Sequence, residues 1–142
     1  MKGNRYFCII KNHKMDKKII STGAIFGMLA IILGAFGAHA LKKVLSIEEL
    51  STFETGVKYQ MYHALFLLFI GFATELSQKA KKTIYYLVVF GVLFFSGSIY
   101  LLATNKLTSF DFKVIGFVTP IGGLLLILAW GVLLVNYLKK KA

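Results

Sequence analysis

Four apolar runs constrain this chain more than any other feature. They occupy residues 19–41, 57–76, 83–103 and 114–138. Each can cross a hydrocarbon core of about 30 Å, which takes roughly 20 helical residues. Inside a bilayer the backbone has to satisfy its polar groups internally, which leaves helices or a closed barrel. A barrel needs many strands of about ten residues that alternate apolar and polar, and the sequence has no such alternation. The expected fold is all-α: an integral membrane four-helix bundle with antiparallel neighbours, because most connections are short.

Composition points to the same solvent. The 142 residues have a mean hydropathy of +0.71 and are 57% hydrophobic, against about 45–50% for an ordinary soluble domain. One soluble core of this size could not hide so much apolar surface, and membrane lipids are the expected partner. The net charge of +11 does not indicate nucleic acid. A nucleic-acid binder gathers its Lys and Arg on one face of a domain, whereas these stand in clusters between apolar runs. Cys8 is the one cysteine, which excludes an intrachain disulfide.

The clusters predict orientation. Residues 1–18, the connection at 77–82 and the tail at 139–142 hold twelve of the seventeen Lys and Arg. The other side holds five, together with four of the six acids: Glu48, Glu49, Glu54 and Asp111. Positive charge stays inside, so both termini are expected in the cytoplasm of a multi-pass cell-membrane protein. Residues 1–18 read as a basic N-terminal arm. Met15-Asp16-Lys17-Lys18 would be a natural start just before the first span, so residues 1–14 are expected to lie upstream of an alternative start, or else to form a disordered arm. Lys17, Lys18, the apolar run and Ala38-His39-Ala40 also resemble a signal peptide, but a signal core runs for about 7–15 residues and this one continues further.

Ser46 with Glu49, and Ser51 with Glu54, each fit a capping box. Ile47, Leu50, Phe53 and Val57 then recur at helical spacing, which predicts a short amphipathic helix in the first outer loop. Within the first span Gly23, Gly27, Ala30, Gly34 and Ala38 form a small-residue stripe, with Gly37 beside it. Such a stripe lets another helix approach closely, here within the bundle or in a second copy of the chain. Pro120 interrupts the fourth run and would free a carbonyl one turn earlier; Ser96 and Thr119 could answer it.

At 1.5 Å of rise per residue, His63, Ser96 and Pro120 come out about 20 Å from the cytoplasmic edge, near the level of Gly34. Tyr59, Gln60, Tyr100 and His39 lie slightly further out, and Glu54 with Lys58 beyond them. Glu54, Tyr59, Gln60, His63, Ser96 and Tyr100 are therefore the candidate lining of a polar pocket in the outer leaflet. An ionisable residue inside a membrane is a functional hypothesis by default; the competing reading is that His63 bonds the carbonyl freed near Pro120 and locks two helices. A metal site wants three or four close ligands, and His39, His63 and Glu54 differ in depth. A bis-histidine haem needs opposed ligands, and the two histidines are offset by about 10 Å. The sequence carries no Ser-His-Asp, P-loop or CxxC signature, so no enzyme and no cofactor are expected.

Gly34-Ala-Phe-Gly-Ala-His-Ala-Leu41, Phe53-Glu-Thr-Gly-Val-Lys-Tyr-Gln-Met-Tyr-His-Ala-Leu65, Phe95-Ser-Gly-Ser-Ile-Tyr-Leu-Leu-Ala103 and Thr119-Pro-Ile-Gly-Gly123 resemble the YwdK/YgdD-type family of small bacterial membrane proteins. The resemblance covers Met15 to Leu138. It implies a four-span architecture and carries no activity with it. The expectation is a non-enzymatic membrane protein with a pocket for a lipid or small amphiphile. The alternatives are an oligomeric transporter or channel component, or a haem or metal protein using His63 and His39.

Overall fold

The computed structural model describes the backbone of residues 2–140 and the side chains of residues 14–139. The Cys8 thiol, the side chains of Lys2, Arg5 and Lys11, and those of Lys140 and Lys141 in the basic tail lie outside the described residues, as does Met1. Four long helices are present: α1 (Lys2–His39), α2 (Ile47–Phe72), α3 (Gln78–Ala103) and α4 (Val118–Lys140). Short 3-10 turns at Leu41–Lys43, Asn105–Leu107 and Phe112–Ile115 fill the two longer connections. A tight turn at 73–77 joins α2 to α3. The molecule thus has a turn end, where that connection lies, and a loop end, where the other two lie.

The helices pack in chain order, α1 on α2, α2 on α3 and α3 on α4. Each pair is antiparallel. Gly23 faces Ala64 and Leu67 while Gly37 faces Phe53, and Gly91 faces Leu126 while Gly122 faces Phe94 and Phe95. The Lys81 ammonium near the start of α3 reaches the Gly71 carbonyl near the end of α2, whereas Gly56 and Ser96 meet further along. The larger core, toward the turn end, holds Ile19, Leu67, Ile70, Ile84, Val88 and Ala129, all fully buried. A smaller cluster of Leu41, Leu45, Phe53 and Ala103 closes the loop end.

Three regions are long and apolar enough to cross a membrane: Lys14–Lys43, Gln78–Ala103 and Phe112–Lys139, with mean hydropathies of 2.2, 2.1 and 2.3. Four such spans were expected, and α2, which carries the 57–76 run, is not among these three. The second helix is long enough, but Lys58, Gln60 and His63 around its midpoint interrupt its apolar run.

The connection between α1 and α2 contains no separate amphipathic helix. The box at Ser46 is real: the Ser46 Oγ accepts from the Glu49 N–H at 3.3 Å, and the Glu49 carboxylate accepts from the Ser46 N–H at 2.7 Å. It starts α2 itself, which runs unbroken to Phe72. Ser51 is inside that helix, where its carbonyl accepts from the Thr55 hydroxyl. A helix in progress has no orphan N–H groups left for a second cap. The first helix likewise runs back to Lys2, so the backbone of the basic arm continues the first span as helix.

Pro120 does not break a helix. The fourth run divides at Gly116 and Phe117, and α4 begins only at Val118. Pro120 is therefore in the first turn, where the missing N–H has no intrahelical partner to lose.

Candidate functional site

The small-residue stripe of α1 faces α2. Gly23 lies against the Ala64 carbonyl, Gly27 against Ala64 and Met61, Gly34 against Val57 and Gly37 against Phe53. Ala30 is buried between them. Ala38 is exposed, so the stripe continues through Gly37, one residue earlier than the sequence spacing suggested. The resulting steps of four, three, four and three keep one face of a helix against a single neighbour.

Close approach brings polar side chains into bonds between helices. The Gln60 Nε2 donates to the Phe26 carbonyl of α1 at 2.9 Å, and its Oε1 accepts from the Tyr100 hydroxyl of α3 at 2.9 Å. The Ser96 hydroxyl donates to the Gly56 carbonyl at 2.8 Å. Ser98 and Thr119 share a hydroxyl–hydroxyl bond of 2.6 Å between α3 and α4. Gln60 and Ser96 are thus buried in contacts between helices, and the half-buried Tyr100 is tied into the same network. Glu54 is exposed at the loop end.

His63 is not level with Ser96 and Pro120. Ser96 meets Gly56, and His63 lies seven residues further along α2, about 10 Å deeper. Its Nδ1 bonds the Tyr59 carbonyl at 2.8 Å, so Nδ1 carries the proton. The Trp130 indole N–H points at Nε2 from 3.4 Å, and a donor-only indole requires Nε2 to accept. His63 therefore meets Trp130 in the middle of α4 instead of a carbonyl beside Pro120. The pairing of Gly37 with Phe53 puts His39 near residue 51, about 18 Å from the level of His63, too far for two axial ligands. Among the described residues no three His, Cys, Asp or Glu side chains come together as a metal site.

The space near His63 is a groove between α2 and α4. Both helices rest on α3 and leave a cleft with two adjoining hollows. One, of about 300 Å³, is lined by Tyr59, His63, Phe95, Gly123, Leu126, Ile127 and Trp130. The other, of about 460 Å³, is lined by Tyr62, Leu65, Phe66, Phe69, Trp130 and Leu133. Trp130 belongs to both and stacks on Phe66 with centroids 4.2 Å apart. Tyr59 and Trp130 are 42% and 52% exposed, so the cleft opens sideways. Of the six residues singled out in the sequence, Tyr59 and His63 line it.

Sequence reasoning missed the opposite partners of this cleft, Trp130 and Phe66, which read as ordinary apolar positions. It also missed a buried ion pair at the turn end. Lys81 counted as one of the flanking charges, yet its side chain is 3% exposed and bonds Asp16 at 2.8 Å. Gln78 Nε2 reaches the same carboxylate at 3.4 Å. At the loop end Lys106 pairs with Glu49. That ammonium, with the Ser46 N–H, holds the Glu49 carboxyl below its usual range. The Lys113 N–H and the Asn105 side chain do the same for Asp111.

Comparison with known proteins places the chain among membrane proteins. Residues 33–123 match a family model described as "Protein of unknown function (DUF423)". The chain is 42% identical over 123 residues to a UPF0382 membrane protein of Staphylococcus saprophyticus, covering 87% of this chain and 98% of that protein. It is 38% identical over 125 residues to the UPF0382 membrane protein YwdK of Bacillus subtilis, covering 87% and 98%. The UPF0382 inner membrane protein YgdD of Escherichia coli K12 is 36% identical over 121 residues, covering 83% and 87%. No solved structure matches the chain.

Proposed function

The chain belongs to the UPF0382 family of membrane proteins, described as of unknown function, and on that premise we propose that it is a non-enzymatic lipid- or amphiphile-binding protein of the cell membrane. In this reading all four helices cross the bilayer, and both termini are cytoplasmic. The ligand enters sideways between α2 and α4, its apolar chain against Phe66, Phe69 and Trp130. The Tyr59 hydroxyl meets its polar part.

The observation that carries the reading is the cleft itself. Between two helices that pack on a common third, Trp130 reaches across to stack on Phe66 and stays half exposed, with a hollow on either side of it. Binding sites are typically concave and mostly apolar, with a few polar groups that orient the ligand. The bonds of Ser96 and Tyr100 hold α2 on α3, and that of Ser98 with Thr119 holds α4 on the same helix, so both walls of the cleft are fixed to one support.

Lipidomic analysis of molecules that copurify with the full chain tests this. Ile127→Trp should fill the hollow, remove a specific amphiphile and leave thermal unfolding close to that of the native chain. Identical copurifying lipids in the native and Ile127→Trp proteins would sink the proposal. His63→Ala separates the locking role: it should lower stability through the lost Trp130 and Tyr59 contacts.

A further inference from the structure

A second groove lies on α3 and α4, toward the turn end. It measures about 310 Å³ and is lined by Thr83, Tyr86, Leu87, Phe90, Phe94 and Leu125. Its spine is a ladder of rings one helical turn apart: Tyr86 to Phe90 at 6.5 Å and Phe90 to Phe94 at 6.2 Å between centroids. Thr83 to Phe94 spans eleven residues, about 16 Å, close to the half-thickness of a hydrocarbon core of about 30 Å.

The mouth of the groove is basic. Lys18 on α1 holds its ammonium 5.5 Å from the Tyr86 ring and 5.0 Å from that of Tyr85. Lys82 stands one turn before Tyr86 on the same face of α3, and both lysines are exposed. The nearby Asp16 carboxylate does not cancel them, because it is bonded to the buried Lys81. Two cations thus sit at the headgroup end of a slot one acyl chain long, with tyrosine at the boundary where amphipathic rings are favoured.

We propose that this groove is a binding site for an anionic phospholipid of the leaflet at the turn end. One acyl chain lies along Tyr86, Phe90 and Phe94, and the phosphate rests between Lys18 and Lys82. Charge complementarity selects the headgroup, since a lysine near the surface favours anionic lipid, while the ring ladder selects an acyl chain over free phosphate. The site is separate from the α2–α4 cleft and does not depend on it.

Native mass spectrometry of the full chain, released from an equal mixture of phosphatidylglycerol and phosphatidylcholine with the same acyl chains, tests the assignment. The native chain should retain phosphatidylglycerol in preference. Lys18→Ala with Lys82→Ala should reduce that preference by about thirtyfold. Phe90→Ala should weaken retention of both lipids. Lys106→Ala with Lys113→Ala, at the loop end, should leave the preference intact, and so should Ile127→Trp in the other cleft. Absence of any preference in the native chain overturns the site, as does its survival in the Lys18/Lys82 variant. Equal loss in the Lys106/Lys113 variant overturns it too, by assigning the preference to net charge alone.

Discussion

Gln60 shows how a single polar residue acquires its role. By position it is a polar side chain at membrane depth, and such residues suggest a pocket. In the fold its amide ties α1 to α3 through Phe26 and Tyr100, a use that fits the modest worth of polar contacts between membrane helices, about 0.6 kcal/mol each on average. Glycines act by what they omit. A Cβ on Gly122 would meet the backbone of Phe94 and Phe95, which cannot move aside as a side-chain tip can. Gly131, in the same helix, faces open space. Gly122→Ala should therefore destabilise by about 1–3 kcal/mol through overpacking. Gly131→Ala should be neutral or stabilise by up to about 1 kcal/mol through helix propensity. Thermal unfolding of both variants in detergent checks the contrast.

The elements were legible in proportion to how local their causes are. Ser46 and Glu49 lie in one turn, so the start of α2 could be read directly. Ser51 and Glu54 offer the same pattern but cap nothing, because the pattern does not record that a helix is already running. Pro120 was misplaced for a similar reason: the break at Gly116 and Phe117 lies inside an apolar run. The ion pair of Asp16 and Lys81 joins α1 to α3 across 65 residues, and no local signal announces it. Its two ends are unequally buried, 27% exposed for Asp16 and 3% for Lys81. Asp16→Asn should cost about 3–5 kcal/mol, since it strands a buried ammonium. Lys81→Met should cost less, because water can reach the remaining carboxylate. Equal losses in equilibrium unfolding would contradict that asymmetry.

At the scale of the whole molecule, topology is the open consequence of the charge pattern. In a Cys8→Ser background, Lys43→Cys and Ser109→Cys should react with a membrane-impermeant maleimide on intact cells. Thr74→Cys should react only after permeabilisation. Labelling of Lys43→Cys and Thr74→Cys from the same side would mean that α2 does not cross. The sequence by itself determined the solvent and the helical class, because backbone groups in lipid leave few alternatives and four apolar runs are visible without any contact. It also marked the stripe on α1, since a helix face follows from spacing alone. Which polar residues share a level, which of them bond each other, and where a cleft is left open were decided by tertiary packing. Depth depends on how far each helix slides past its neighbour, and burial depends on which faces meet. Those offsets moved His63 away from Ser96 and Pro120 and set it against Trp130. They turned an expected polar pocket into interhelical ties flanking an aromatic groove.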